Sequence, residues 1–272
     1  MYQPSIVHFA ELAKEKAAGL NRSPVGFFIG AMLAGSYIGI AMILSLSAAA
    51  GVPPGVRPLL MGAVFGIGLI LTVFAGAELF TGYVMYVGFG LARRSISWND
   101  AIRLMIVVWM GNLAGVLVLA AIFSAGGGGA IFAAGAENLH AYVAHKVEAS
   151  AMALIARGIL CNWLVCLALW TAVRVEGDTA KMVALSWTLF AFVTAGFEHS
   201  VANMTALSLG LFVPAATIDL VGAARNLLLV TVGNVVGGVV FVTGAYLAAA
   251  RTDPAGRPQH DVGPLPVSAR TG

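Results

Sequence analysis

Charged residues are scarce in this chain. Asp, Glu, Lys and Arg make up 10% of its 272 residues, hydrophobic residues make up 60%, and the mean hydropathy is +0.91. Soluble domains are about 25% charged, so the composition excludes an ordinary soluble protein and indicates an integral membrane protein. The net charge of +3 identifies no partner, because membrane orientation depends on where the basic residues lie.

Cysteine is equally scarce, and its placement excludes a disulfide framework. Cys161 and Cys166 lie in one apolar segment and are interpreted as small packing residues. The "GGGG" stretch at 126–129 is not a phosphate-binding loop, because no predicted strand precedes it and no Lys-Ser/Thr pair follows. We predict no cofactor, no metal site and no nucleic-acid partner.

Long hydrophobic runs dominate the chain, and six are long enough to cross a bilayer, which takes about 20 helical residues. They cover residues 25–50, 58–90, 101–125, 149–173, 180–209 and 223–250. We therefore predict an all-α integral membrane protein with six transmembrane helices in a single transmembrane domain over residues 1–250. We also expect no signal peptide, because polar residues precede the first run.

The segments outside the spans have their own patterns. Residues 1–24 predict an N-terminal amphipathic helix at the membrane interface, since Ile6, Phe9 and Ala13 share one helical face. Residues 251–272 are rich in Pro and Gly and predict a disordered cytoplasmic tail. With both termini inside, most of the 15 Lys and Arg residues fall in cytoplasmic regions, so the basic residues favour cytoplasmic termini.

The second and fifth spans carry polar residues at bilayer depth. Their centres read "VFAGAELFTGYV" at 73–84 and "VTAGFEHSVANM" at 193–204. Each contains a glycine, which permits a turn, and polar side chains that can satisfy backbone groups freed by a broken helix. Both spans are therefore predicted to be discontinuous helices, and their polar residues are functional candidates.

The two breaks are related by an internal repeat. Gly76 and Gly196 are 120 positions apart, as are Glu78 and Glu198. Each broken span is followed by a Gly-Asn motif, "GNLAG" at 111–115 and "GNVVGG" at 233–238. Three spans is an odd number, so the two copies are predicted to sit inverted in the membrane. Paired broken helices in inverted halves indicate a transport site near the midplane.

Several of these motifs resemble the formate/nitrite transporter family, and most closely its bacterial nitrite channel branch. The resemblance runs from about Pro24 to about Ala248, and its motifs are "RPLLMGAVFGIGL", "GAELFTG", "GNLAG", "CNWLVCLALW", "GFEHSVANM" and "GNVVGG". It implies an aquaporin-like fold with one pore per protomer, a homopentamer in the bacterial inner membrane, and a channel or transporter for a small monovalent weak-acid anion such as nitrite.

The resemblance also implies where the pathway residues lie. Thr81 and His199 meet at the middle of the pore, and Lys146 lies in the outer vestibule. Leu79, Val165 and Phe192 form a constriction toward the cytoplasm, and Phe65, Phe80 and Asn162 form one toward the outside. Asn234 bonds the imidazole of His199. Arg157 matches no position with a known role, and its function is left open.

Other polar residues are expected to support the loops. A carboxylate facing an anion pathway would repel the substrate, so Glu78 and Glu198 are predicted to turn away from it and to accept backbone N–H bonds at the loop ends. Asn112 and Asn234 are predicted to tie the loops to the third and sixth spans, and Asn203 to support the second loop.

The role of the central histidine follows from the cost of charge. A bare anion pays several kcal/mol or more to enter an apolar constriction. Imidazole titrates near neutral pH, so His199 is expected either to lend a proton to the anion or to stabilise it as a charge. Formate and hydrosulfide remain alternative substrates. An intramembrane hydrolase built on Ser200 and a neutral-solute pore are the rival classes, with no nucleophile elbow and no asparagine-proline-alanine pairs to favour them.

Overall fold

The computed structural model describes residues 1–213, 216 and 218–251, and all their regular elements are helices. The predicted disordered tail lies, beyond Arg251, outside the described residues. The helices are α1 (Gln3–Arg22), α2 (Pro24–Ala49), α3 (Arg57–Phe65), α4 (Ile67–Phe74), α5 (Phe80–Ala92), α6 (Trp98–Ala125), α7 (Gly129–Phe132), α8 (Ala136–Glu148), α9 (Ala151–Ala172), α10 (Asp178–Thr194), α11 (Ser200–Phe212), α12 (Leu220–Gly238) and α13 (Ala245–Arg251), with a π-helical segment, Val239–Gly244, between the last two.

Five helical stretches in the described part of the chain are long and apolar enough to cross a membrane. They are Pro24–Ala49, Arg57–Phe74, Trp98–Ala125, Ala151–Ala172 and Leu220–Arg251. The chain is therefore a multi-pass membrane protein. The predicted fifth span is not among these five stretches, because it is divided into two shorter helices, α10 with 17 residues and α11 with 13. The predicted second span is also divided, since the 13-residue helix α5 follows α4 after a turn.

The most extensive helix pairs are α2 with α6 and α9 with α12. Small residues allow this, because they let helix backbones approach closely. A Cβ at Gly115 of α6 would overlap the carbonyl of Met32 on α2, and one at Gly233 of α12 would overlap the carbonyl of Ile155 on α9. The pair α2 and α6 and the pair α9 and α12 are thus held together in the same way.

Helix α1 forms as predicted, but its apolar face packs on protein. Phe9 is buried and stacks on Tyr86 of α5 and Trp170 of α9, with ring centroids 5.4 and 5.9 Å apart. The neighbouring aromatic rings cover this face, and the position of the helix at the membrane interface stays a prediction. Helices α7 and α8 are additions that the sequence did not predict.

Candidate functional site

Both predicted helix breaks are present and have the same geometry. Five residues separate α4 from α5, and five separate α10 from α11. Gly76 and Gly196 adopt φ values of 76° and 72°, a left-handed conformation that glycine adopts without strain. In the first turn, Ala77 N–H donates to the Thr72 carbonyl at 3.0 Å. In the second turn, Phe197 N–H donates to the Phe192 carbonyl at the same distance.

Two buried asparagines hold the turns. The side chain of Asn112 on α6 accepts from Phe80 N–H at 2.9 Å and donates to the carbonyls of Ala31 and Glu78 at 2.7 and 2.8 Å. The bonds to Phe80 N–H and to the Glu78 carbonyl satisfy backbone groups freed where the helix is broken. Asn112 therefore connects the first turn to both α6 and α2.

Asn234 on α12 repeats this pattern at the second turn. Its side chain accepts from Ser200 N–H at 2.9 Å and donates to the carbonyls of Gly158 and Glu198 at 2.8 and 2.9 Å. Both amide hydrogens are used on backbone carbonyls. The expectation that Asn234 holds the imidazole of His199 is therefore wrong.

The two glutamates bond lysines, which corrects the expectation that their carboxylates accept backbone N–H groups. Glu78 pairs with Lys16 of α1, with Nζ 2.8 Å from both carboxylate oxygens, and accepts from the Tyr83 hydroxyl at 2.7 Å. Glu198 pairs with Lys146 of α8 at 2.8 Å. Both carboxylates are thus neutralised at bilayer depth, where an unpaired charge is costly.

The second pair belongs to a buried network. The Asn203 amide donates to Glu198 and to Asn226 Oδ1, and the Asn226 amide donates to the Lys146 carbonyl at 2.9 Å. The Lys146 ammonium also lies 4.7 Å from the ring centroid of Tyr142. Burial disfavours its charged form, but the carboxylate of Glu198 outweighs this and raises the pKa of Lys146.

Thr81 and His199 meet between the two turns. The Thr81 hydroxyl is 3.1 Å from Nε2 of His199, and both side chains are buried. Nδ1 of His199 accepts from Ala202 N–H at 3.1 Å, which caps the N-terminus of α11. Because a backbone N–H can only donate, Nδ1 carries no proton and the ring is neutral with its proton on Nε2.

Two cavities adjoin the two turns, one at each turn. The α8 vestibule has a volume of about 610 Å³, and its lining includes Arg57, His145, Lys146, Glu198 and His199. The α1 vestibule has a volume of about 580 Å³, and its lining includes His8, Lys16, Glu78, Leu79 and Lys181. Lys146 thus borders a vestibule as expected, although it lies on a separate helix and is only 5% exposed.

Aromatic rings lie beside the waist, by which we mean Thr81 and His199, on the side of the α8 vestibule. The rings of Phe65 and Phe192 are 5.7 Å apart edge to face, and Phe192 stacks on His199 at 5.8 Å. Both phenylalanines line the α8 vestibule. The assignment of Phe192 and Phe65 to opposite constrictions is therefore wrong, because the two rings are in contact on one side of the waist.

The other predicted constriction residues are placed differently. Leu79 lines the α1 vestibule. Phe80 faces an apolar groove between α6 and α12, away from the two vestibules. Val165 and Asn162 are buried on α9, where the Asn162 amide donates to the carbonyl of Asn234 at 2.7 Å. Leu79 thus borders the α1 vestibule, while the other three line neither vestibule.

Sequence reasoning missed Lys16, Tyr83 and Asn226. Lys16 was assigned to an interfacial helix, and no local pattern indicated that it pairs with Glu78. Tyr83 and Asn203 both stand five positions after their glutamates. No signal marked Asn226. Among the residues described, no cluster of three His, Cys, Asp or Glu side chains is arranged to hold a metal ion.

A vestibule at each of two paired helix breaks, with a polar waist between the breaks, is typical of a channel-type membrane protein. A family model described as "Formate/nitrite transporter" matches residues 7–248. The chain belongs to the formate/nitrite transporter family.

Individual relatives agree with this assignment. The chain is 42% identical to "Nitrite transporter NirC" of Escherichia coli (strain K12) over 96% of each chain. It resembles a solved structure described as "FNT family ion channel" with a TM-score of 0.86 and 40% identity, covering 91% of this chain and 99% of that one. It also resembles one described as "Pentameric formate channel with formate bound", with a TM-score of 0.73 and 32% identity over 85% of this chain and 98% of that one.

Proposed function

We propose that this protein is a channel for a small monovalent weak-acid anion, and that nitrite is its substrate. The observation that carries the proposal is the Thr81–His199 waist between two vestibules. The similarity to a nitrite transporter over 96% of the chain favours nitrite. Formate is the second candidate, because a similar structure holds formate; hydrosulfide is a third.

The waist suits an anion because it offers donors without a fixed charge. Nε2–H of His199 donates to the Thr81 oxygen, which leaves the Thr81 hydroxyl hydrogen free to donate to a passing anion. Hydrogen bonds to a charged group contribute about 1.5–3 kcal/mol each. An anion that takes the place of the Thr81 oxygen at Nε2–H gains both donors, which offset part of the desolvation cost and yet hold the ion weakly enough for release.

The same geometry favours a donor role for His199 over lending a proton. An imidazolium would carry a proton on Nδ1 and lose the bond from Ala202 N–H. It would also place a positive charge at the N-terminus of α11, where the helix dipole is already positive. We infer that His199 stays neutral and that any proton travelling with the anion is supplied from outside the waist.

A hydrolase built on Ser200 is disfavoured by the same contacts. The Ser200 hydroxyl has no hydrogen-bond partner among the described residues, and both ring nitrogens of His199 are engaged by Thr81 and Ala202. No nucleophile–base pair is formed, as acyl transfer would require.

The arrangement in the membrane follows from the same proposal. We propose that α3 to α5 and α10 with α11 serve as the second and fifth of six spans, in two inverted halves with an aquaporin-like path. The α1 vestibule then faces the cytoplasm together with both termini, and the α8 vestibule faces outward in a bacterial inner membrane. We propose a homopentamer, because the similar formate channel is described as pentameric.

Anion-resolved flux tests the proposed function. Nitrite, formate, hydrosulfide, nitrate or chloride is added outside proteoliposomes at a series of outside pH values, and uptake is followed with empty liposomes subtracted. We expect nitrite to cross fastest and its rate to rise as the outside is acidified, because a weak-acid anion can pass the apolar rings of Phe65 and Phe192 with a proton. Nitrate, the anion of a strong acid, gains far less. Equal pH responses for nitrite and nitrate would contradict passage with a proton, and faster uptake of formate would make formate the substrate.

A further inference from the structure

Three of the histidines in the described part of the chain lie along the proposed pathway. His199 lies at the waist, His145 lines the α8 vestibule, and His8 lines the α1 vestibule. His8 and His145 are both exposed. His8 and Lys16 lie on α1, and Lys16 pairs with Glu78. His145 and Lys146 lie on α8, and Lys146 pairs with Glu198. Each vestibule is thus lined by one exposed histidine and one lysine–glutamate pair.

The other charges in the vestibules are largely compensated. Lys16 and Lys146 are paired with glutamates, and Lys181 lies 3.7 Å from Asp178. The titratable and charged groups that line the α8 vestibule with His145 are Arg57, Tyr142, Lys146, Glu198 and His199, and Arg225 bonds the carbonyl end of α8. Those that line the α1 vestibule with His8 are Lys16, Glu78, Tyr83, Tyr86 and Lys181, and Arg174 bonds Ser5 of the same helix. Imidazole is the side chain that most often donates and accepts protons in general acid–base chemistry.

A local proton donor matters because protons are dilute. At a diffusional ceiling of about 10⁹ M⁻¹ s⁻¹, protons at about 10⁻⁷ M protonate a vestibule anion on the order of 10² times per second. An imidazolium held in the vestibule acts at a far higher effective concentration. The waist itself does not supply the proton, since Nδ1 of His199 is occupied by Ala202 N–H.

We propose that His145 and His8 exchange protons with the permeating weak acid, one in each vestibule. When the anion enters through the α8 vestibule, an N–H bond of the His145 imidazolium breaks and an O–H bond forms on the anion. The neutral acid then passes the rings of Phe65 and Phe192 and the waist. It then loses its proton to the neutral imidazole of His8, and solvent restores both rings. The proposal rests on the proposed function, and the steps reverse for outward flux.

The test uses nitrite influx into proteoliposomes at neutral pH in weak buffer, with empty liposomes subtracted. His8→Gln, His145→Gln and the double variant remove the titrating rings without removing buried packing. The matched control is His140→Gln, which changes a histidine of α8 that is not among the residues lining either vestibule. We expect the double variant to lose about tenfold in initial rate, each single variant to lose less, and the control to match wild type.

Chemical rescue separates proton exchange from a structural role. Adding imidazole to the buffer supplies the missing proton carrier, so the double variant returns toward the wild-type rate while wild type gains little. A double variant that equals wild type in weak buffer overturns the inference, and so does a slow variant that imidazole does not restore. Wild-type protein that carries nitrite no faster than empty liposomes overturns the proposed function and this inference with it.

Discussion

At the residue scale, His199 serves two purposes at once. Its Nδ1 caps α11 through Ala202 N–H, and its Nε2 faces Thr81. A helix cap contributes about 0.5–2 kcal/mol of stability. The bond from Ala202 N–H therefore holds the imidazole ring in the orientation in which Nε2 faces Thr81. The stacking of Phe192 on the ring, at 5.8 Å, fixes its plane.

His199→Phe separates shape from hydrogen bonding, because a phenyl ring keeps the stack on Phe192 and removes the donor. We expect nitrite flux to fall at least about tenfold, which corresponds to one lost hydrogen bond to a charged group, while assembly is retained. Flux is measured in proteoliposomes and assembly by size-exclusion chromatography. A wild-type rate in His199→Phe would show that the waist is not a selective site.

Thr81→Val removes the donor opposite His199. This variant should also reduce nitrite flux.

The buried Lys146–Glu198 pair should matter for stability. Glu198→Gln leaves the ammonium of Lys146 without its counter-charge, and breaking a buried pair costs about 3–5 kcal/mol. We expect a lower melting temperature in detergent and lower flux. The double variant Lys146→Met, Glu198→Gln, which removes both charges, should recover part of the loss.

An exposed pair is the control for this prediction. Lys14 and Glu11 are 3.7 Å apart with side chains 64% and 58% exposed, and such pairs contribute about 0–1 kcal/mol. Lys14→Met should therefore leave the melting temperature nearly unchanged. If Glu198→Gln kept full stability and conducted faster, the carboxylate would face the anion and repel it.

At the element scale, the helix breaks depend on two glycines and two asparagines. Gly76 and Gly196 supply the left-handed turn, and Asn112 and Asn234 satisfy the backbone groups that the turn leaves free. The same types of contact occur in both halves, so the two turns are one structural solution used twice. This repetition explains why the sequence revealed the turns before their contacts were known.

Gly76→Ala and Gly196→Ala test the turns. No atom lies within 4 Å of a Cβ added at either position, so the cost is backbone strain alone, about 1–2 kcal/mol each. We expect a lower melting temperature and reduced flux in both variants, with the double variant nearly additive. Gly51→Ala is the matched control, since it also meets no neighbour but lies outside the left-handed region; an equal effect there would refute the role of the turn.

At the scale of the whole molecule, the protomer presents many apolar side chains at its surface. Those on the spans include Ile29, Leu33, Ile106, Leu117 and Trp187, each at least 41% exposed. Such a surface is stable only against lipid or another apolar face. It is therefore consistent with a membrane protein that also associates with copies of itself.

We expect five protomers per particle. Native mass spectrometry of detergent-extracted protein should give about five times the protomer mass of 28.0 kDa. Each protomer contains its own waist and vestibules, so flux per protomer should not depend on the neighbours beyond their support of the fold. A monomeric or tetrameric particle that still conducts would contradict the pentamer and leave the pathway intact.

The sequence by itself determined the membrane class, most of the spans and the position of both helix breaks. These features rest on local composition: long apolar runs, and glycine beside polar residues in "AGAELFTG" and "AGFEHSVAN". The repeat spacing and the family motifs were also read from the sequence directly. Such features depend on neighbouring residues in the chain, so they can be recognised without knowing which residues are in contact in the fold.

Only the tertiary structure decided which side chains meet across the breaks. It paired Glu78 with Lys16, which lies 62 positions earlier, and Glu198 with Lys146, 52 positions earlier. It also placed Phe192 beside Phe65 on one side of the waist. A charge buried at bilayer depth must find a counter-charge wherever the fold brings one near, and a ring packs against whatever the crossing helices present, so neither outcome follows from local sequence.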